Sequence, residues 1–273
     1  MLEQQIELEK LYDKNQTMRR LKTYFKDELT TLGGPDLTAF FKQADISETF
    51  GFALVAQMAL HRRTNVPTLV GLMRPHFETG QDTADALHKA VQLGLMNWDP
   101  AFEQFIVIPE LCVPPYVQRD LDMFQFPLPM VVEPKEVKTN RQTGYITSSG
   151  SIILKQNHHD DDVCLDHINR MNRIKLTLNV DTANMIANSW RNLDKPKEGE
   201  TDSEFEMRKR AFEKYDRTAR DVITIIEGLG NQFHLTHKYD KRGRIYCQGY
   251  HISYQGNAWN KSVIELADKE VIL

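Results

Sequence analysis

Six prolines, Pro109, Pro114, Pro115, Pro127, Pro129 and Pro134, fall between residues 109 and 134, and no other feature constrains the fold as much. Each fixes φ, removes a backbone donor and holds the residue before it extended. Regular helix is therefore not expected across this span, and a boundary is expected near residue 125. Ahead of it the spacing is helical. Ile6, Leu8, Leu11, Met18, Leu21 and Phe25 alternate with charged residues over one or two amphipathic helices ending at Gly33-Gly34-Pro35. A second helical stretch covers residues 36–63, and Asn65-Val66-Pro67 interrupts it before Thr68 to Met73 begins another. Phe52 to Leu60, the most apolar stretch, is far shorter than the ~20 residues that span a bilayer and reads as a buried helix.

Residues 83–108 combine a helix on Ala84, Leu87, Val91 and Leu93, a Gly94 stop, a turn at Asp99-Pro100 and a strand from Phe105 to Ile108. A winged-helix DNA reader ends in the same order. Its recognition helix would be 83–93, yet only His88 and Lys89 are positive there, so a helix and strand in a mixed core is the favoured reading.

Beyond the prolines, Thr143 to Ile146 and Ser151 to Leu154 around Ser148-Ser149-Gly150 read as a hairpin. His158-His159-Asp160-Asp161-Asp162 follows. Consecutive loop residues seldom converge on one ion, so this cluster is read as the acidic start of a helix and not as a metal site. One helix is expected over 162–192, with Ile168, Met171, Ile174, Leu178, Met185 and Trp190 along one side and Arg170, Arg173 and Lys175 around the rest. A second is expected over 202–229 on Phe205, Phe212, Tyr215, Ala219, Val222, Ile226 and Leu229. With the polar turn 194–200 between them they form an antiparallel helical hairpin. Residues 206–220 set six basic residues, Arg208, Lys209, Arg210, Lys214, Arg217 and Arg220, against Glu206, Glu213 and Asp216. Such runs are commonly solvated faces, and phosphate contact is the alternative.

Composition limits the function classes. With 34 Lys+Arg against 38 Asp+Glu the formal net charge is −4, which argues against a surface coated in nucleic acid and leaves room for local basic patches. At 41% hydrophobic and 26% charged the chain is an ordinary globular one. Cys112, Cys164 and Cys247 are widely spaced, which fits neither a disulfide framework nor a zinc site, and the first twenty residues lack a signal peptide's apolar segment. A reducing cytoplasm is the expected location.

The most informative segment is 234–257. Lys238, Lys241, Arg242 and Arg244 oppose only Asp240 across residues 238–244. Gly243 permits a tight turn, Arg244 offers a permanently charged fork of donors suited to phosphate oxygens, and Ile245 and Tyr246 begin a strand that would hold it. By chance alone Asp240-x-x-Gly243-Arg244 is a weak pattern, and a charged hairpin turn is its plain reading.

In context the segment resembles the Asp-x-x-Gly-Arg signature of the single-subunit RNA polymerases of T7-type phages and mitochondria. Arg242, Tyr246 and Gln255-Gly256-Asn257 extend the likeness, as do the expected helix from Ser262 to Ala267, the helical hairpin 162–229 and the segment Pro129 to Lys135 with Gly144-Tyr145. It is strong over about 125–260 and weak before 80. The resemblance implies a mainly α chain with small β elements (α+β): a helical N-terminal domain (1–125), an extended or hairpin connector (126–160), a thumb helical hairpin (161–230) and the start of a palm (231–273). It implies further that Asp240, Arg242, Gly243, Arg244 and Tyr246 steady the template near the RNA–DNA hybrid, while Arg170, Arg173, Lys175, Arg208, Lys209, Lys214 and Arg217 grip the duplex. From chemistry alone, Asp240 is expected to orient an arginine by an ion pair.

Nucleotidyl transfer needs paired carboxylates holding Mg²⁺, which in that family lie far beyond the signature, whereas 29 residues follow Arg244 here. Asp268 and Glu270 are read as solvated. The expectation is therefore one chain of a split enzyme, similar to the smaller subunit of the heterodimeric polymerase of N4-like phages. Val263, Ile264, Leu266, Val271, Ile272 and Leu273 would be covered by the partner, which would carry the metal aspartates. Mg²⁺ and nucleoside triphosphates would belong to the assembly, with none bound by this chain alone. A fragment of a longer polymerase and a non-catalytic, winged-helix-like transcription regulator are the alternatives.

Overall fold

The computed structural model describes residues 1–156, 159, 161, 163–190 and 192–269, and nothing is said of the side chains of Lys14 and Gln156. His158, Asp160 and Asp162 of the acidic cluster, and Glu270, Val271, Ile272 and Leu273, lie outside the described residues. The fold is mainly α with small antiparallel sheets, in two compact units: Lys14–Leu121, and Met1–Asp13 with Asp122–Leu273. No helix among the described residues is long and apolar enough to cross a membrane.

Helix α1 (Leu2–Leu11) belongs to the second unit because of two buried polar residues. Gln5 accepts the Val131 N–H at 2.8 Å, and Glu9 accepts the N–H groups of Ile146 and Thr147 at 2.7 and 2.6 Å and the Thr147 hydroxyl at 2.6 Å. Burial pushes the Glu9 carboxyl up, but these bonds outweigh it and hold the group below its ordinary value. The first thirteen residues thus clasp the 131–147 segment. The helical region expected over 1–125 is, as a compact body, Lys14–Leu121.

In that first unit, α2 (Lys14–Thr23) continues through a π-helical turn (Tyr24–Glu28) into α3 (Leu29–Thr31), followed by α4 (Leu37–Gln43) and α5 (Glu48–His61). The latter buries Phe50 to Ala56, Met58 and Ala59, as its continuous apolar sequence requires. Strand β1 (Arg63–Asn65) leads into α6 (Val66–Met73), capped by the Asn65 carboxamide on the Thr68 N–H, and α7 (Gly80–Gln92) starts at a Thr79–Asp82 capping box. Strands β2 (Asn97–Asp99) and β3 (Gln104–Ile106) complete an antiparallel sheet in the order β1-β3-β2. Helix, strand, two helices and a two-stranded wing on such a sheet is the winged-helix arrangement. The helix and strand expected within 83–108 form, with Leu87, Ala90 and Phe105 in the core, and Arg63–Asn65, too short for a strand signal, supplies the third strand.

The proline span also differs from expectation, because α8 (Pro115–Met123) lies within it. Pro115 occupies the first helical position, where the missing N–H has no partner to lose.

The second unit departs most from the sequence reading. Instead of one helix over 162–192 there is α9 (Leu165–Arg173), strand β4 (Leu176–Leu178) and α10 (Val180–Met185). Ile168, Leu176 and Leu178 fit both a helical and an alternating pattern; Leu176 and Leu178 are buried on a strand, and Asn179 caps the next helix. The second arm, α11 (Asp202–Gly228), is a single helix as expected, so the pair is not a helical hairpin. Strands 143–146 and 151–154 do not form. Ile153 instead bridges Tyr239, with the Tyr239 N–H donating to the Ile152 carbonyl at 2.7 Å, while Ile146 and Thr147 turn to Glu9. Strands β5 (His237–Tyr239) and β6 (Ile245–Cys247) form an antiparallel hairpin. The expected helix 262–267 is α12 (Ala258–Val263) followed by strand β7 (Ile264–Leu266), which pairs with β4; the Asn257 cap starts the helix early. The main core gathers Val222, Ile226, Phe233, Ile252, Trp259 and Val263. Val263 is thus buried within its own unit, while Leu266 is exposed.

Candidate nucleic-acid interface

The site is built on the β5–β6 hairpin, in the register His237 to Cys247, Lys238 to Tyr246 and Tyr239 to Ile245. Two buried side chains anchor β5. The Tyr239 hydroxyl donates to the Cys164 carbonyl at 3.1 Å. His237 lies between Asn172 Oδ1 (2.9 Å from Nδ1) and the Tyr254 hydroxyl (2.6 Å from Nε2), and burial lowers its pKa to about 4. A neutral ring donates through Nδ1 and accepts from Tyr254 through Nε2. On the other edge Gln255 substitutes for a strand: Oε1 accepts the Cys247 N–H at 2.9 Å and Nε2 donates to the Ile245 carbonyl at 3.1 Å. Gly256 lets this loop close tightly, since a Cβ there would lie 3.0 Å from Asn260 Cβ and Ser253 O.

Between the strands, the Asp240 N–H donates to the Arg244 carbonyl at 2.9 Å and the Gly243 N–H to the Asp240 carbonyl at 3.0 Å. Gly243 has φ +77, with open space where a Cβ would stand. Backbone conformation therefore requires this glycine, and close approach of a neighbour does not. Asp240 Oδ1 accepts the N–H groups of Arg242 and Arg244 at 2.9 and 3.0 Å. Oδ2 takes Arg244 Nε at 2.8 Å and Nη2 at 2.6 Å, with Arg242 Nη2 at 3.2 Å and the Tyr246 hydroxyl at 3.4 Å. Burial pushes the Asp240 carboxyl up, but the backbone and guanidinium bonds from Arg244 outweigh it and hold it below its ordinary value. The hydrogen bond to Asp240 raises Arg244 in turn. Arg244 also lies over the Tyr246 ring at 5.4 Å.

The outcome is one carboxylate, 14% exposed, directing two arginines that are 63% and 52% exposed. Lys241 is exposed beside them. Of the five donors on each guanidinium some remain free to face an anion. Asp240, Arg242, Gly243, Arg244 and Tyr246 are thus brought together in one turn.

The other basic residues are dispersed. Arg170 and Lys175 are exposed at and just beyond the end of α9, and Arg173 pairs with Glu133 at 3.3 Å. Lys209 pairs with Glu206 at 3.1 Å. Arg208 is committed inward: Nε and Nη2 hold Glu200 at 2.8 and 2.7 Å, and the remaining donors reach the carbonyls of Asn192 and Lys195. Lys214 and Arg217 flank the buried Asp122 at 2.7 and 3.5 Å. Arg210, exposed on α11, shares their face by helical spacing. The sequence reading passed over it as a contact, and that spacing was the available signal. It also missed His237 and Asn172, which hold the hairpin and carry no pattern of their own, and it noted Gln255 without its role along β6.

An open hollow of about 620 Å³ adjoins the turn, lined by His159, Cys164, His167, Tyr239, Lys241 and Gly243 among others. Among the described residues no group of three or more His, Cys, Asp or Glu could hold a metal ion.

Fold and site together define a mainly α chain with an arginine-bearing hairpin. No family model matches it. It is similar to a probable DNA-directed RNA polymerase of Agaricus bitorquis, with 28% identity over 171 residues, covering 54% of this chain and 16% of that relative. The chain therefore spans about 16% of the length of the curated relative it matches.

Proposed function

We propose that this chain is a nucleic-acid-holding part of a DNA-directed RNA polymerase, with the Asp240-centred turn presenting Arg244 and Arg242 to the template backbone. The observation that carries the reading is the pair of half-exposed or more exposed guanidiniums that one carboxylate holds together on the hairpin. Held donors bind phosphate with little ordering cost, and a fork matches two of its oxygens. The similarity to a relative named as a polymerase supports the same reading. The finer proposal is a split enzyme of the single-subunit type. A partner chain supplies the carboxylates, Mg²⁺ and triphosphate-binding groups of nucleotidyl transfer, and α11 acts as a thumb with Arg210, Lys214 and Arg217 toward the nucleic acid. The test is Mg²⁺-dependent RNA synthesis on denatured DNA by the protein isolated with its stoichiometric partners. Synthesis that requires both this chain and a partner supports the split enzyme; a monodisperse protein without partner or synthesis contradicts it.

One observation favours a second reading, a DNA-binding transcription regulator: the winged-helix arrangement of Glu48–Ile106. Its α7 exposes Asp82 and Asp85 as well as His88 and Lys89, an unfavourable face for a groove reader. Duplex binding abolished by Lys89→Ala and indifferent to Arg244→Ala would favour the regulator.

A further inference from the structure

A run of aromatic rings joins α11 and the loop after β6 to Phe126 and Trp190, apart from the arginine turn. Phe126 stacks on Tyr250 with centroids 3.8 Å apart, Tyr250 meets Tyr215 at 5.7 Å, Tyr215 meets Trp190 at 5.3 Å and Trp190 meets Phe212 at 5.3 Å. Tyr215 is buried and tied to Asn260 through its hydroxyl at 2.6 Å. Tyr250, between Phe126 and Tyr215, is 45% exposed, although an inward-facing ring would have completed the run at lower cost in exposed apolar area.

Two further features separate this run from an ordinary core. The first is charge: α11 interleaves Phe212 and Tyr215 with Lys214 and Arg217, whose side chains are 46% and 56% exposed. Asp122 answers only one of those two charges, and Arg210 stands one turn away. The second is His251, only 4% exposed among Tyr250 (4.9 Å), Tyr215 (5.9 Å) and Phe126 (6.0 Å), with both ring nitrogens lacking a hydrogen-bond partner among the described residues. An imidazole buried without partners destabilises a fold that a phenyl ring of similar size would suit. Beneath the exposed Tyr250 ring, it keeps one donor and one acceptor without a partner among the described residues.

We infer that the Phe126–Tyr250 stack is a platform for an unpaired nucleobase of a single strand, with the adjoining phosphates on Lys214 and Arg217 and His251 beneath it. Stacking on a fixed aromatic ring is tolerant of base identity, and cations beside it follow the backbone. The platform stands on residues other than the arginine turn, and its occupant is defined by chemistry alone: an unpaired base with its phosphodiester, from RNA or DNA.

The full chain is mixed with short oligonucleotides carrying 5-iodouracil, dT-based and rU-based in separate arms, irradiated, and the cross-linked peptide mapped. Fluorescence anisotropy on the same strands reads affinity. The adduct is expected on Tyr250 or Phe126, with Tyr250→Ala weakening binding about tenfold and Tyr250→Phe binding like the native protein. Preference for the RNA or the DNA arm names the strand, and either supports the platform. Because Tyr250 is partly exposed, its truncation leaves no buried cavity; should that variant misfold, the cross-link map and Tyr250→Phe decide. Adducts confined to the 240–246 turn, native affinity in a folded Tyr250→Ala, or a protein captured at the patch without oligonucleotide binding would overturn the inference. Arg244→Ala separates the two sites: it tests the template-holding turn and is expected to leave the Tyr250 adduct in place.

Discussion

Two arginine–carboxylate pairs within forty residues of each other behave in opposite ways. At the start of α11, Arg208 forks onto Glu200, its other donors close on the carbonyls of Asn192 and Lys195, and the two side chains are 15% and 12% exposed. At the hairpin, Asp240 is equally committed, yet Arg244 and Arg242 keep donors toward solvent. The bond from Arg208 holds the Glu200 carboxyl down at about 2, so both pairs persist near neutral pH. The difference lies in what surrounds the guanidinium: enclosed by carbonyls it fastens a loop, and left exposed it can meet an anion. Both arginines are basic residues in a basic run, and the resemblance implied a nucleic-acid contact for both.

The widest gap between the two pairs is expected in activity. Arg244→Ala lowers RNA synthesis by the assembled enzyme roughly 10–100-fold, the range for loss of a charge-assisted hydrogen bond in a transition-state complex, while leaving the melting temperature near that of the native protein. Arg208→Ala does the reverse: calorimetry shows a lower Tm as residues 192–200 detach, and synthesis per folded molecule is retained. Next in size, Gly243→Ala forces an L side chain into left-handed backbone and destabilises the second unit by about 1–2 kcal/mol in urea unfolding; Gly243→Asn costs less, since asparagine tolerates that region. Smallest is Lys241→Ala, which weakens binding a few-fold and reduces the salt slope by about one counterion.

Acid separates the regions again. Burial lowers His237 to about 4, and His251 likewise to about 4. Their unfolded forms take up protons near 6.5, so the unfolded state binds more protons between about pH 6.5 and 4, and stability falls as pH drops through that window. His251→Phe removes one of these titrations, and unfolding measured against pH is expected to show a shallower slope there. Glu9, held below its ordinary value, contributes stability that is present above its unfolded pKa and lost as pH falls through its folded one. Glu9→Gln is expected to destabilise the second unit by about 1–3 kcal/mol at neutral pH.

The hairpin was legible in the sequence because its parts are local. Asp240, Gly243 and Arg244 close one five-residue turn, and the carboxylate's partners lie within six residues of it. Helix α11 was legible for the same reason, in its long stripe and its Thr201–Glu204 box. The segment 162–192 was not, since apolar residues three and four apart satisfied a helical period while Leu176 to Leu178 paired with Ile264 to Leu266, more than eighty residues away. The winged-helix sheet escaped for a related reason: β1 is three residues long, and its partners Gln104 to Ile106 lie some forty residues on. Glu9 gave no sign of its bonds to Ile146 and Thr147, because a lone glutamate on an amphipathic helix looks like any solvated one. Arg208 looked like a phosphate ligand because its carbonyl partners in 192–195 leave no mark in composition.

The central claim, that the Asp240 turn holds nucleic acid outward while the Glu200 clasp only holds the fold, reduces to one paired measurement. Arg244→Ala and Arg208→Ala are prepared in the protein isolated with its partners, and each is scored for Tm and for Mg²⁺-dependent RNA synthesis on denatured DNA. The account predicts that Arg244→Ala loses synthesis at native Tm and that Arg208→Ala loses Tm at native synthesis per folded molecule. Synthesis unimpaired in Arg244→Ala, or lost equally in both variants at equal folded fraction, would contradict it.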